Sequence, residues 1–158
     1  MPLLPLPALA DNYIWVLSDA GPRAIVVDPG DAAPVLAAAQ RGLQLAAVLL
    51  THHHPDHIGG TSGLRSRWPD LPVYAPVDDR ITVDCHRVGD GDTVETGGWR
   101  FEVIAVPGHT RTHVAYFGHG VLFCGDTLFS LGCGRLFEGT PAQMVASLDR
   151  LAALPGDT

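Results

Sequence analysis

Residues 51–57 read Thr-His-His-His-Pro-Asp-His, so His52, His54, Asp56 and His57 form a His-x-His-x-Asp-His pattern. Imidazole nitrogens and carboxylate oxygens are the donors that borderline divalent metals take, and no thiolate lies in the cluster. In an extended segment His52 and His54 project to the same side, because side chains alternate with a period of two. Asp56 and His57 are adjacent and must diverge unless the chain turns, and Pro55 supplies a bend. The spacing therefore predicts two neighbouring metal sites rather than one. The competing reading is a flexible histidine tract that meets metal by accident. The apolar run Leu45–Leu50 before it and Gly59-Gly60 after it argue against that.

Four residues cannot saturate two metals, so further ligands must come from elsewhere. Residues 101–110 alternate as a strand and end in Pro107-Gly108, which delivers His109 at the tip. Residues 121–127 are a second apolar strand pattern, ending in Gly125-Asp126. Strand tips that run into glycine loops are where rigid scaffolds place functional groups. Alone, His109 or Asp126 reads as a turn residue or cap; beside the first cluster each becomes a candidate ligand.

Together these residues resemble the metallo-β-lactamase superfamily. The run Gly132-Cys133-Gly134-Arg135-Leu136-Phe137-Glu138-Gly139-Thr140 narrows the likeness to glyoxalase II, the hydroxyacylglutathione hydrolases. Asp11-Asn12-Tyr13, Val27-Asp28-Pro29-Gly30 and Gly125-Asp126-Thr127-Leu128-Phe129 match that family too. The resemblance implies an α+β fold, the αββα sandwich of the superfamily, with the metals along one edge. It implies His52, His54 and His109 on one metal, Asp56 and His57 on the other, and Asp126 bridging. It further implies two divalent ions, zinc foremost with iron or manganese as alternatives. The reaction would be hydrolysis of S-2-hydroxyacylglutathione thioesters, S-lactoylglutathione to lactate and glutathione, in methylglyoxal detoxification. Asp56 would orient the water nucleophile as well as bind metal, and Arg135 and Phe137 would contact the glutathione part. A thiolate leaving group needs no strong general acid, since thiols have a pKa near ~8.5. Related alternatives are a persulfide dioxygenase, β-lactam hydrolysis, or a metal-binding chain with little activity.

In glyoxalase II a Leu-Pro-x-Asp-Thr segment leads into Cys-Gly-His-Glu-Tyr-Thr, whose histidine completes the second metal site. Here Leu154-Pro155-Gly156-Asp157-Thr158 are the last residues given. The expectation is thus one catalytic domain over residues 1–158, truncated at its C-terminal end and without the family's helical domain.

The elements that must position these groups follow from pattern. Strands are expected at Leu3–Leu6, Tyr13–Ser18, Ala24–Val27, Ala46–Leu50, Val73–Ala75, Thr82–Val88, Arg100–Val106, His113–Phe117 and Leu122–Cys124. Helices are expected at Ala33–Arg41, Gly59–Arg67 and Pro141–Leu151. The last is best marked, with Thr140 as N-cap, Pro141 at the first helical position and Gln143 closing a capping box. Asp90-Gly91-Asp92 and Gly97-Gly98 mark turns.

Of the 158 residues, 46% are hydrophobic and 17% charged, a balance that argues for a packed core. The net charge of −7 argues against a nucleic-acid partner, and no apolar run reaches bilayer-spanning length. No membrane association and a monomer are expected. The N-terminus lacks the basic region of a secretory signal, and three widely spaced cysteines suit a reducing cytoplasm. Cys124 reads as core and Cys133 as a loop-packing residue. His53, His86 and His119 read as non-ligands, and His113 as packing or hydrogen-bonding near His109.

Overall fold

The computed structural model describes every residue except Asp157, so that member of the terminal Leu-Pro-Gly-Asp-Thr run lies outside the described residues. Six strands form a mixed sheet in the order β1 (Leu3–Ala8), β2 (Asn12–Ser18), β3 (Arg23–Val27), β4 (Gln44–Leu49), β5 (Val73–Pro76) and β6 (His86–Val88). Strands β1 to β3 pair antiparallel, and β3 to β6 run parallel. Pro5 and Pro7, which cannot donate to a ladder, are tolerated because β1 is an edge strand. An antiparallel sheet of β10 (Val121–Phe123), β9 (Val114–Gly118), β8 (Trp99–Ala105) and β7 (Thr93–Thr96) packs against the first. Leu128–Phe129 (β11) and Gly132–Cys133 (β12) close a short hairpin.

Alternation along the strands builds the layers. Ile25, Val27 and Leu49 face the second sheet and pack with Phe101, Val103 and Tyr116. Ala24, Val26 and Val48 face the other way, onto Val35 of helix α1 (Ala32–Gln40) and Leu64 of α3 (Thr61–Arg67). The outer face of the second sheet, through Ile104, Val106 and Ala115, covers Leu151 of α4 (Pro141–Ala152). The arrangement is the expected helix–sheet–sheet–helix sandwich.

Several boundaries differ from the sequence expectation. Residues 82–85 are irregular and only His86–Val88 pairs, because the Arg87 guanidinium holds the carbonyls of Pro76, Asp78 and Ile81 and folds that segment into a loop. Strand β7 went unforeseen because its single buried residue, Val94, is too short a signal. Helix α3 begins at Thr61 rather than Gly59, and a separate turn of helix, α2 (Pro55–Ile58), precedes it with Pro55 at its start. The capping box of α4 is formed: Thr140 Oγ1 accepts from Gln143 N at 3.2 Å, and Gln143 Oε1 accepts from Thr140 N at 2.9 Å. Among the described residues no helix is long and apolar enough to cross a membrane.

Candidate metal centre

The candidate ligands come together at one edge of the sandwich, on the loops that follow four strands. Asp28 follows β3, His52 and His54 follow β4, His109 follows β8 and Asp126 follows β10. Helix α2 supplies the turn that lets Asp56 and His57 reach the same place despite being neighbours. Its Asp56 carbonyl packs directly on Gly30, where any side chain would collide with it.

His52, His54 and His109 converge. His54 Nδ1 lies 3.1 Å from His52 Nε2 and 2.9 Å from His109 Nε2. The other nitrogens of the two flanking rings are already engaged. Thr51 donates its hydroxyl to Asp28 Oδ2 at 2.6 Å, so it accepts from His52 Nδ1 at 3.0 Å. His109 Nδ1 donates to the carbonyl of Arg135 at 2.7 Å. These partners assign both Nε2 atoms as lone-pair acceptors, and one His54 proton cannot serve both. Burial, followed by the imidazoles of His113, His57, His109 and His54, drives the His52 pKa far below its ordinary value. Burial and then His109 lower His54 as well. Three imidazole nitrogens within ligand distance of one another, two of them held as acceptors, fit a divalent cation.

Beside them, His57 Nε2 lies 3.2 Å from Asp126 Oδ1 and 3.5 Å from Asp56 Oδ2. The second oxygen of Asp126 is 3.3 Å from His109 Nε2, so this carboxylate spans the two groups. Asn12 Nδ2 donates to Asp56 Oδ2 at 2.9 Å and fixes the carboxylate that α2 carries. Burial acts to lower the His57 pKa, but the Asp28 charge and the hydrogen bonds to Asp126 and Asp28 outweigh it and raise it to about 10. Asp28 also lies within ligand distance of His52 and His57. Its oxygens, however, accept from Thr51 N at 2.8 Å, the Thr51 hydroxyl and His57 Nδ1 at 3.0 Å. That commitment makes it an orienting group rather than a ligand.

His113, expected to pack near His109, stacks on His52 with centroids 4.5 Å apart, and its Nε2 accepts from Asp126 N at 3.2 Å. His53 turns away from the cluster towards Asp78 and Glu138, His86 stacks on Tyr74, and His119 accepts from Arg100 N. Phe137 stands edge-on to His54 and His109 at 5.4 and 5.3 Å, and Arg135 reaches over its ring. Both are exposed at the mouth of the site. Gly134 admits the close approach of the Asp126 carbonyl that seats this loop. Cys124 is half-buried beside the α4 layer, whereas Cys133 is exposed, a correction to its reading as a packing residue. Both residues of its strand, Gly132 and Cys133, are exposed, and Cys133 pairs with Leu128.

Asp28, Thr51 and Asn12 were not foreseen as orienting groups. The Val27-Asp28-Pro29-Gly30 and Asp11-Asn12-Tyr13 runs carried the only signal, and that signal names no role.

Residues 11–158 match the family model of the metallo-beta-lactamase superfamily. The chain belongs to that superfamily. With the convergent histidine and aspartate donors, this membership supports use of a divalent metal. The chain is 60% identical over 158 residues to the hydroxyacylglutathione hydrolase of Xylella fastidiosa (strain M23), covering 100% of this chain and 61% of that protein. A protein of the same name from Xanthomonas axonopodis pv. citri (strain 306) is 61% identical over 159 residues, with 62% of its length covered. The chain thus spans about three fifths of the length of these relatives. Among solved structures, ETHE1 from Myxococcus xanthus superposes with a TM-score of 0.84 at 32% identity, over 100% of this chain and 73% of that one. TTHA1623 in a di-iron-bound form gives 0.79 at 30% identity, over 98% and 87%.

Proposed function

We propose that this chain is the metal-binding part of a hydroxyacylglutathione hydrolase, which cleaves S-2-hydroxyacylglutathione thioesters such as S-lactoylglutathione to the hydroxy acid and glutathione. The observation that carries the reading is 60% identity across the whole chain to proteins of that name. In this reading His52, His54 and His109 hold one divalent ion, Asp56 and His57 hold a second, and Asp126 joins them. Zinc is the first choice, with iron or manganese as alternatives, since mixed imidazole and carboxylate donors suit all three. The site would act in a reducing cytoplasm as a monomer; three free thiols agree with that compartment.

Bound divalent ions would polarise the thioester carbonyl and acidify a water. The protein's own groups do the rest. Asp56, fixed by Asn12, accepts a hydrogen bond from the attacking water and aims it. Thr51 and the Arg135 carbonyl keep the His52 and His109 rings in the tautomer whose Nε2 faces the centre. Phe137 lies against the glutathione part, and the Arg135 guanidinium receives a substrate carboxylate at the mouth. The thiolate leaves without a dedicated acid.

The test is to load the chain with zinc and follow S-lactoylglutathione hydrolysis, beside oxygen uptake with glutathione persulfide and cleavage of a chromogenic lactam. Thioester turnover that exceeds the other two supports the reading. Oxygen uptake or lactam cleavage without thioester turnover rejects it.

A further inference from the structure

Apart from the cluster of ligands, one charged network lies beside the mouth of the site. The segment from Gly134 to Thr140 places Arg135 and Phe137 there, with the Arg135 guanidinium 5.8 Å from the Phe137 ring and that ring edge-on to His54 and His109. Main-chain bonds seat only its path: Phe137 N donates to His109 O at 3.2 Å and Gly139 N to Gly108 O at 3.0 Å. Glu138 is the residue of this segment whose charge is engaged. Its carboxylate accepts from Arg80 Nη1, from Arg80 Nη2 at 3.3 Å and from Arg111 N at 2.8 Å.

Arg80 is itself fixed from behind. Nε and Nη2 donate to Asp78 at 2.8 and 2.7 Å, in the two-pronged geometry that suits guanidinium and carboxylate. The Asp78 side chain is only 3% exposed, and the Thr112 hydroxyl donates to it at 2.5 Å. His53 borders both carboxylates, at 3.4 and 3.7 Å. One guanidinium thus joins the loop after β5 to the loop after β12, residues 58 positions apart in the chain. A lone exposed ion pair would contribute little, but a network anchored on a buried carboxylate holds its geometry.

We propose that Arg80 and Glu138 form a positioning clamp that sets the Arg135–Phe137 segment against the peptide end of the substrate. The proposal rests on the hydrolase reading and adds two residues to it that lie outside the candidate ligand set. Binding contacts remote from the reacting bond act by placing it, and a misplacement of about 1 Å can cost up to ~100-fold.

The experiment compares the zinc-loaded chain with Arg80→Met, Glu138→Gln and the double variant, reading KM, kcat, zinc content and the rate of tryptic cleavage after Arg135. Each single variant is expected to raise KM roughly tenfold, leave kcat within about threefold and speed cleavage after Arg135, with zinc content unchanged. The double variant should be no worse than the worse single one, because both remove the same link. Arg80→Lys should recover part of the loss. Unchanged KM and unchanged cleavage in both single variants would overturn the clamp, and so would a fall in kcat with KM untouched. Should Arg80→Met fail to fold, Glu138→Gln, which keeps the volume, decides by the same readings. A wild-type chain without thioester turnover would sink the hydrolase reading, and the cleavage rates would still judge the clamp.

Discussion

Asp28 Oδ2 accepts the Nδ1 proton of His57 at 3.0 Å, and the same oxygen accepts the Thr51 hydroxyl that orients His52. One buried carboxylate therefore sets an imidazole in each of the two groups of candidate ligands. Asp28 does so from a left-handed backbone conformation, φ 51°, which costs a non-glycine residue and marks a constrained position. Replacing it with asparagine keeps the shape but leaves one oxygen for three donors. Asp28→Asn is expected to weaken metal binding by roughly 10–100-fold, measured by competition with a chromogenic chelator. Unchanged affinity would show that the His52 and His57 rings are oriented by something else.

The two groups of ligands should differ in strength. His52, His54 and His109 form a complete set of three imidazoles. Among the described residues the candidate ligands Asp56 and His57 have only the shared Asp126 to add, because His113 is committed to the Asp126 amide and His53 to Asp78 and Glu138. Titration with zinc should show one tight and one weaker equivalent, and His54→Ala should abolish the tight one. Two equivalents of equal affinity would contradict this account.

Stability of the metal-free chain should peak near neutrality. Burial, then the His109 charge, lowers the His113 pKa to about 3, so between the ordinary value of 6.5 and that point only the unfolded chain takes up this proton. Acid therefore costs stability below pH 6.5. His57 has the opposite sign: its pKa of about 10 means the folded chain alone holds that proton above pH 6.5, and stability falls as the pH rises towards 10. Thermal melts in chelator should give a Tm maximum near pH 6.5. A Tm that climbs steadily from pH 6.5 to 9 would refute the assignment of His57.

The capping box of α4 should be worth a measurable amount. Thr140→Ala removes the acceptor for Gln143 N and is expected to cost about 1 kcal/mol in denaturant unfolding. The zinc stoichiometry should stay the same, since the metal-facing loops do not depend on that bond.

Much of the site was legible because its donors are chemically distinctive. His52, His54, Asp56 and His57 lie within six residues, and His109 and Asp126 each end a patterned strand before a glycine loop. The layers were legible only through the family resemblance; the strand and helix patterns alone pointed to mixed α and β. What escaped was pairing across the chain. Asp28 and Thr51 are ordinary residue types whose role appears only when β3 and β4 lie side by side. Arg80 and Glu138 meet only because two distant loops cross. Short elements escaped for a different reason: β7 and α2 have four residues each, too few to repeat a period.

The most direct test of the central claim is thioester hydrolysis by the purified chain, stripped of metal and then reloaded with zinc. The account predicts S-lactoylglutathione turnover that appears on reloading, disappears with chelator and is absent in His54→Ala, while all these forms stay folded. A folded, zinc-loaded chain that hydrolyses the thioester no faster than its metal-free form would contradict it.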